Sequence, residues 1–144
     1  MEPKLNKIDI LKNISSIECF AKLSKEANSQ LIDVRTEPEW SYVGVPDLSS
    51  IRKKVIFVSW QIYPAMEKNI FFENILLKLN IKKDTNLCFI CRSGQRSYSA
   101  AEFLISRGFS NCFNVKDGFE GVKNHDRQRS LINGWKFNNL PWKQ

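Results

Sequence analysis

The chain has 144 residues, of which 42% are apolar and 26% charged, with four cysteines and a formal net charge of +7. This length predicts one domain with its own core, and the composition excludes a disordered, collagen-like or low-complexity chain. No apolar run approaches the ~20 residues of a membrane-spanning helix, and the amino terminus lacks the apolar stretch of a secretory signal. The cysteines do not follow a secreted disulfide pattern either. We therefore expect a cytoplasmic protein with reduced thiols and no membrane contact.

The predicted elements alternate between short apolar runs and helix-length segments. A capping box over 15–18 opens a predicted helix over 16–25, and further helices are predicted near Pro38, over 69–79 and over 97–107. Strands are predicted over 30–34, 55–60, 86–90 and 111–115. Because these strands are continuously apolar, the pattern favours one α/β domain over 1–144 with a buried parallel sheet. Leu131, Ile132, Trp135 and Phe137 are expected to form a turn or helix that packs on this body.

A polar loop with a cysteine at its start follows the strand predicted over 86–90. Its residues are Cys91, Arg92, Ser93, Gly94, Gln95, Arg96 and Ser97, directly before a helix. Sites in open α/β sheets gather beyond the carboxyl ends of the strands. The positive end of the helix, the free loop amides and the two arginines all favour the thiolate of Cys91. Gly94 allows the positive φ that a loop needs to curl its N–H groups around an anion. The sequence therefore predicts a nucleophilic cysteine at position 91.

Three segments together resemble the rhodanese family. They are residues 31–36 (Leu-Ile-Asp-Val-Arg-Thr) with Glu39 and Trp40, the loop 91–97, and residues 113–119 (Phe-Asn-Val-Lys-Asp-Gly-Phe). They occur in the family's order, and the resemblance covers about residues 8–122, with 123–144 as an extension. It implies a rhodanese-like, three-layer domain, in which a central parallel five-stranded sheet carries helices on both faces.

The resemblance also implies a thiosulfate sulfurtransferase that works through a persulfide on Cys91 and needs no cofactor. Arg92 and Arg96 would attract the anionic donor, and the amides of Ser93, Gly94, Gln95 and Ser97 would help to hold the persulfide. The acceptor would be cyanide in assays and a thiol or a protein in the cell.

Asp33, Arg35 and Glu39 are expected to brace this site from a neighbouring strand end. The resemblance implies that they pair with groups of the loop, and an ion pair between Arg35 and Glu39 is the main alternative. The sequence departs from the family after Trp40, where many members carry Gly-His-Ile-Pro-Gly-Ala. Gly44, Val45, Pro46 and Asp47 stand there without a histidine.

A cysteine phosphatase or an arsenate reductase is the nearest alternative enzyme. Those sites resemble Cys-x5-Arg loops that enclose a tetrahedral anion, whereas Cys91 and Arg96 enclose four residues. The tighter loop suits a single sulfur atom.

Other uses of the cysteines are weaker. Cys88 and Cys91 form a CxxC spacing, but residues three apart in a strand lie ~10 Å from each other, beyond the reach of a disulfide. Cys19 and Cys112 lack the spacing of a metal site, so no metal is expected. A cysteine protease would need His125, the single histidine, to approach Cys91.

The sequence leaves one partner hypothesis open and disfavours another. A sulfur-relay module would deliver the same persulfide to a partner protein. Nucleic acid is an unlikely partner, because Asp126 interrupts the basic residues Lys123, Arg127 and Arg129 and no aromatic RNA-binding motif accompanies them.

Overall fold

The computed structural model describes residues 11–144 and contains a central five-stranded sheet. The strands of the described residues are β1 (Lys12–Ile14), β2 (Ser29–Asp33), β3 (Val45–Pro46), β4 (Ile56–Phe57), β5 (Gln61–Ile62), β6 (Glu67–Lys68), β7 (Asn86–Ile90), β8 (Cys112–Val115) and β9 (Trp142–Lys143). The order across the main sheet is β1-β8-β7-β2-β4, and every neighbouring pair is parallel. The predicted parallel five-stranded sheet is therefore confirmed, with β7 at its centre.

The helices are α1 (Ser16–Lys25), α2 (Glu37–Tyr42), α3 (Phe72–Lys78) and α4 (Gln95–Ser106), with a 3-10 turn at Ser49–Ile51. The predicted capping box is present at the start of α1. The Ser15 hydroxyl accepts from the Glu18 N–H at 3.1 Å, and the Glu18 carboxylate accepts from the Ser15 N–H at 3.2 Å. The helix over 16–25 is confirmed at both ends.

Two apolar cores lie on opposite faces of the sheet. Along β7 and the residue after it, Leu87, Phe89 and Cys91 point to one face, where α3 and α4 pack. Cys88 and Ile90 point to the other face, against α1. Side chains of a strand alternate in this way, so a central strand must be apolar on both sides. This explains why the run over 86–90 was a dependable strand signal.

The edges of the sheet differ from the sequence prediction. The strand expected over 55–60 is regular only at Ile56 and Phe57, because it lies at the sheet edge and Phe57 is exposed. The opposite edge strand, β1, has three residues of mixed polarity and was not predicted. The helix expected over 69–79 begins at Phe72, since the Asn69 side chain accepts from the Phe71 N–H at 3.0 Å and forms a turn there.

The largest side chain that the carboxyl-terminal segment buries against the sheet domain is Trp135. Trp135 is fully buried, its N–H donates to Gly118 O at 2.9 Å, and its indole N–H donates to Pro141 O at 2.7 Å. The expected turn that packs on the body is therefore anchored by Trp135, whereas Leu131, Ile132 and Phe137 are about half exposed. The segment is built from turns and from β9, which pairs antiparallel with β3. Among residues 11–144, no helix is both long enough and apolar enough to cross a membrane.

Candidate active site

Cys91 lies directly after the central strand β7, at the carboxyl edge of the sheet. Its side chain is 1% exposed. The peptide group of Cys91 is also fixed, because its carbonyl accepts from the Phe119 N–H at 2.8 Å. The strand thus delivers the sulfur to a defined place between the sheet and the amino terminus of α4.

The sulfur of Cys91 has two hydrogen-bond partners from the following residues. The Gly94 N–H donates to Sγ at 3.1 Å, and the Ser97 Oγ lies 3.1 Å from Sγ. The amide and the helix terminus behind it both favour negative charge on sulfur. The loop therefore forms a cradle around one sulfur atom.

Gly94 makes the cradle sterically feasible. Its φ is +104°, so the predicted positive φ is confirmed. A Cβ built on Gly94 would lie 2.4 Å from the Lys116 carbonyl oxygen. No other residue type fits here without moving the backbone that places the N–H on the sulfur.

Residues 118–121, which follow β8, contact the cysteine loop through backbone hydrogen bonds. The Arg92 carbonyl accepts from the N–H groups of Glu120 and Gly121, at 3.0 and 3.1 Å. Gly118 allows this approach, since a Cβ there would lie 2.4 Å from Arg92 O. Backbone hydrogen bonds thus join the cysteine loop to residues 118–121.

Asn114 on β8 was not among the predicted site residues. It is buried, and its Oδ1 accepts from the Ser97 hydroxyl at 2.6 Å. Its Nδ2 donates to Gly94 O at 3.1 Å and to Asn13 Oδ1 at 2.9 Å. One side chain therefore holds both residues that contact the Cys91 sulfur. The available signal was an amide side chain inside an otherwise apolar strand.

Arg96 does not stand free beside the cysteine. Its Nη1 and Nη2 donate to the two carboxylate oxygens of Glu39, at 2.7 and 2.9 Å. Burial raises the pKa of the Glu39 carboxyl, but the hydrogen bonds and charge of Arg96 outweigh burial and lower that pKa. Burial acts to lower the pKa of Arg96, and the bonds to Glu39 raise it overall. The site's two predicted cations therefore differ, because Arg92 is exposed and has no ion-pair partner among the described residues.

The remaining predicted loop residues divide by exposure. Gln95 is exposed at the first turn of α4, Ser93 is half-buried, and Ser97 is fully buried. Ser97 is thus the hydroxyl of the loop that reaches the sulfur.

Asp33 and Arg35 form a buried ion pair with each other at the end of β2. Arg35 Nε and Nη2 donate to the Asp33 carboxylate at 3.0 and 2.7 Å, and Nη2 also donates to Gly44 O at 2.9 Å. The guanidinium lies 4.3 Å from the ring centre of Phe119. The alternative pairing of Arg35 with Glu39 is not formed, because Arg35 is fully enclosed beside Asp33 and Glu39 faces Arg96. Arg35 fixes the Gly44 turn where the family motif departs.

The other cysteines are buried away from the loop. Cys88 and Cys91 lie on opposite faces of the sheet, which excludes a disulfide between them without unfolding β7. Burial raises the pKa of Cys112 to about 12, and burial and the neighbouring Cys88 raise that of Cys19 well above its usual range. These thiols are therefore poor nucleophiles at neutral pH.

His125 has a surface position. Its side chain is 90% exposed and contacts Asp126 at 3.2 Å, so it does not support the protease alternative. Within residues 11–144, no group of three or more histidine, cysteine or acidic side chains is arranged to hold a metal ion.

Similarity to known proteins agrees with this geometry. The profile described as the STR4 middle domain matches residues 12–144. The chain belongs to the STR4 middle domain family. The chain is 45% identical over 133 residues to an uncharacterized protein of Rickettsia prowazekii, which is 92% of this chain and 98% of that protein. It is 27% identical over 128 residues to the chloroplast rhodanese-like domain-containing protein 4 of Arabidopsis thaliana, covering 89% of this chain and 25% of the plant protein.

Solved structures show the same fold as this chain. Rv0390 from M. tuberculosis superimposes with a TM-score of 0.81 at 37% identity, over 92% of this chain and 97% of that one. The polysulfide-sulfur transferase homodimer from Wolinella succinogenes gives a TM-score of 0.66 at 20% identity, over 95% of this chain and 81% of that one. The predicted rhodanese-like α/β fold is confirmed.

Proposed function

We propose that this chain is a sulfurtransferase that carries the sulfane sulfur of thiosulfate on Cys91 and passes it to a nucleophilic acceptor. The observation that carries the proposal is the cradle around Cys91, in which the Gly94 N–H lies 3.1 Å from Sγ at the amino terminus of α4. This arrangement favours a sulfur anion without a histidine base. The matching rhodanese-like relatives support the same reaction class.

The first step loads the cysteine. The Cys91 thiolate attacks the outer sulfur of thiosulfate, the S–S bond of thiosulfate breaks, and sulfite leaves with the electron pair. The product is a Cys91 persulfide whose terminal sulfur carries the negative charge. Amides of the loop that are free to turn toward this charge stabilise it, as donors do in an oxyanion hole.

The second step transfers the terminal sulfur of the Cys91 persulfide to an acceptor. Cyanide in an assay, or a thiolate in the cell, attacks the terminal sulfur and the Cys91 thiolate leaves. Cyanide becomes thiocyanate, and a thiolate becomes a persulfide. No oxidant or reductant is consumed, and no cofactor is needed.

Arg92 is the group that we assign to capture of the anionic donor. It is exposed at the mouth of the loop, whereas Arg96 has its charge compensated by Glu39. Long-range attraction by an exposed cation raises the encounter rate with anions and weakens with salt. We therefore expect thiosulfate turnover to decline as ionic strength rises.

A sulfur relay to a partner protein uses the same persulfide. The low exposure of Cys91 favours this variant, because a shielded persulfide reacts only with an acceptor that reaches into the loop. The discharge rates separate the two functions. Fast discharge by both cyanide and a small thiol supports a free-standing sulfurtransferase, and slow discharge by both supports the relay.

Intact mass spectrometry after thiosulfate treatment tests the proposal directly. We expect a one-sulfur adduct on the wild type that disappears on adding cyanide and is absent from Cys91→Ser. Cys112→Ser is the matched control, because Cys112 is equally buried but lies at the far end of the sheet strands, and it should retain the adduct. An adduct that persists in Cys91→Ser would refute the assignment.

A further inference from the structure

The hydroxyl of Ser97 has one hydrogen and two close neighbours. Its oxygen lies 2.6 Å from Asn114 Oδ1 and 3.1 Å from the Cys91 sulfur. A hydroxyl donates one hydrogen bond and accepts through its lone pairs. Only one of these two neighbours can receive the hydrogen at a time.

The other contacts of Asn114 decide which neighbour receives it. Asn114 Nδ2 lies 3.1 Å from the carbonyl oxygen of Gly94, which is purely an acceptor. The amide nitrogen must therefore face Gly94, and Oδ1 must face Ser97. An amide oxygen carries no hydrogen, so the 2.6 Å contact exists only if Ser97 donates to Asn114.

The consequence falls on the cysteine. With its hydrogen committed to Asn114, Ser97 presents a lone pair to Sγ. This lone pair accepts from a Cys91 thiol but repels a Cys91 thiolate. The Gly94 N–H has the opposite preference, since it stabilises the thiolate. The two contacts on one sulfur therefore act against each other.

We propose that Asn114 is a positioning residue that accepts the Ser97 hydrogen and so withholds this hydrogen bond from the Cys91 thiolate. The proposal deepens the proposed function and rests on it for the role of Cys91 as nucleophile. When Cys91 ionises, its proton goes to solvent and the hydrogen bond from Ser97 to Asn114 stays in place. Asn114 thereby restrains a nucleophile that the rest of the loop activates.

The charged groups near the Cys91 loop belong to several elements. Arg92 belongs to the loop, Arg96 on α4 is paired with Glu39 on α2, and Asp33 ends β2. Replacing an uncharged residue such as Asn114 or Ser97 leaves these charges unchanged. A change in Cys91 ionisation in such variants therefore reports the hydroxyl network.

The test is a pH titration of the Cys91 thiolate by its ultraviolet absorbance. For each variant, the same variant carrying Cys91→Ser is subtracted, so buried thiols and tyrosines cancel. Asn114→Leu keeps the side-chain volume and frees the Ser97 hydrogen to donate to the thiolate. We expect its midpoint to fall by about one pH unit, the size of a hydrogen bond to a charged sulfur. Asn69→Leu, at another buried asparagine with a local hydrogen bond, should leave the midpoint unchanged.

The direction of the midpoint shift in Ser97→Ala is a second, independent test. If Asn114 holds the hydrogen, Ser97→Ala removes only a partner of the thiol, and the midpoint falls. If Ser97 instead donates to the thiolate, the midpoint rises, and this outcome overturns the proposal even where Asn114→Leu fails to fold.

Adding Asn114→Leu to Ser97→Ala should cause no further shift of the midpoint. An equal shift with and without the hydroxyl would also overturn it. The titration involves no sulfur donor, so its result is separate from that of the adduct experiment.

Discussion

Arg96 and Glu39 form a two-pronged ion pair, with Nη1–Oε1 at 2.7 Å and Nη2–Oε2 at 2.9 Å. Arg96 belongs to the first turn of α4, and Glu39 belongs to α2. The pair ties the short helix after β2 to the loop that holds Cys91. It also places a carboxylate beside the loop, which lowers the positive charge that an incoming dianion meets.

Releasing Arg96 should improve capture of thiosulfate. In Glu39→Gln the carboxylate charge is gone, so we expect KM for thiosulfate to fall about fivefold, with kcat nearly unchanged. Steady-state kinetics measure both constants. Glu73→Gln removes the exposed ion pair with Arg107 on another face and should change neither. A higher KM in Glu39→Gln would show that the pair is needed to orient the loop.

The same ion pair predicts a pH dependence of stability. The pKa of Glu39 is lower in the folded chain than the ~4.3 of an unfolded glutamate, so its contribution is complete well above that value. It is lost as pH falls through the lowered folded pKa. Urea unfolding should therefore find the wild type more stable than Glu39→Gln by about 1 kcal/mol at neutral pH. The gap should close on acidification. An Arg96→Met background should remove the advantage of Glu39 at neutral pH, because burial of its carboxylate then lacks the opposing charge.

The two loop arginines should respond differently to removal. Arg92 is exposed, so Arg92→Ala should raise KM for thiosulfate and leave the melting temperature unchanged. Arg96→Ala leaves the half-buried Glu39 carboxylate without its main partner, so it should lower the melting temperature as well. Thermal unfolding beside kinetics distinguishes these outcomes. A loss of stability in Arg92→Ala would contradict the assignment of Arg92 to donor capture.

Gly94→Ala should damage the cradle beyond the ordinary cost of a positive φ. Its Cβ would collide with Lys116 O, whereas at Gly108, with φ +97°, the nearest atom is the flexible Lys83 Nζ at 3.4 Å. We expect Gly94→Ala to cost about 2 kcal/mol more stability than Gly108→Ala and to lose the sulfur adduct. Urea unfolding and intact mass measure the two effects. Equal behaviour of both variants would mean that the loop tolerates a shifted Gly94 amide.

Breaking the buried Asp33–Arg35 ion pair should strongly lower the stability of the fold. Arg35→Met leaves the Asp33 carboxylate buried without its partner, which costs about 3–5 kcal/mol in comparable pairs. The double variant Asp33→Asn with Arg35→Met should recover part of this loss, because no lone charge remains. Denaturant unfolding measures both. A loss below about 1 kcal/mol for Arg35→Met would show that water reaches the carboxylate.

The centre of the fold was predictable, while its edges were not. β7 is apolar on both faces because it has neighbours on both sides, and its loop carries glycine and the arginines that a sulfur anion needs. β1 is a three-residue edge strand with two polar side chains, so its sequence holds no period to detect. An edge strand obtains its structure from its neighbour.

The partners of charged side chains were also beyond the sequence. Asp33, Arg35 and Glu39 lie within seven positions, and several pairings satisfy that spacing. Which pair forms depends on how deeply each side chain is buried. Arg35 is buried against the ring of Phe119, and Glu39 on α2 faces Arg96 on α4. Asn114 was missed for a related reason, because its importance arises from two residues of another element.

The placement of Cys88 and Cys91 on opposite faces of the sheet has a consequence for oxidative damage. A sulfenic acid on Cys91 would normally be rescued by a neighbouring resolving thiol, which forms a disulfide and halts further oxidation. Cys88 is separated from it by the sheet itself, and Cys19 packs with Cys88 on that far side. Cys112 shares the face of Cys91 but lies at the opposite end of the strands, beside Leu87. Reduction of an oxidised Cys91 therefore depends on a thiol from outside the chain.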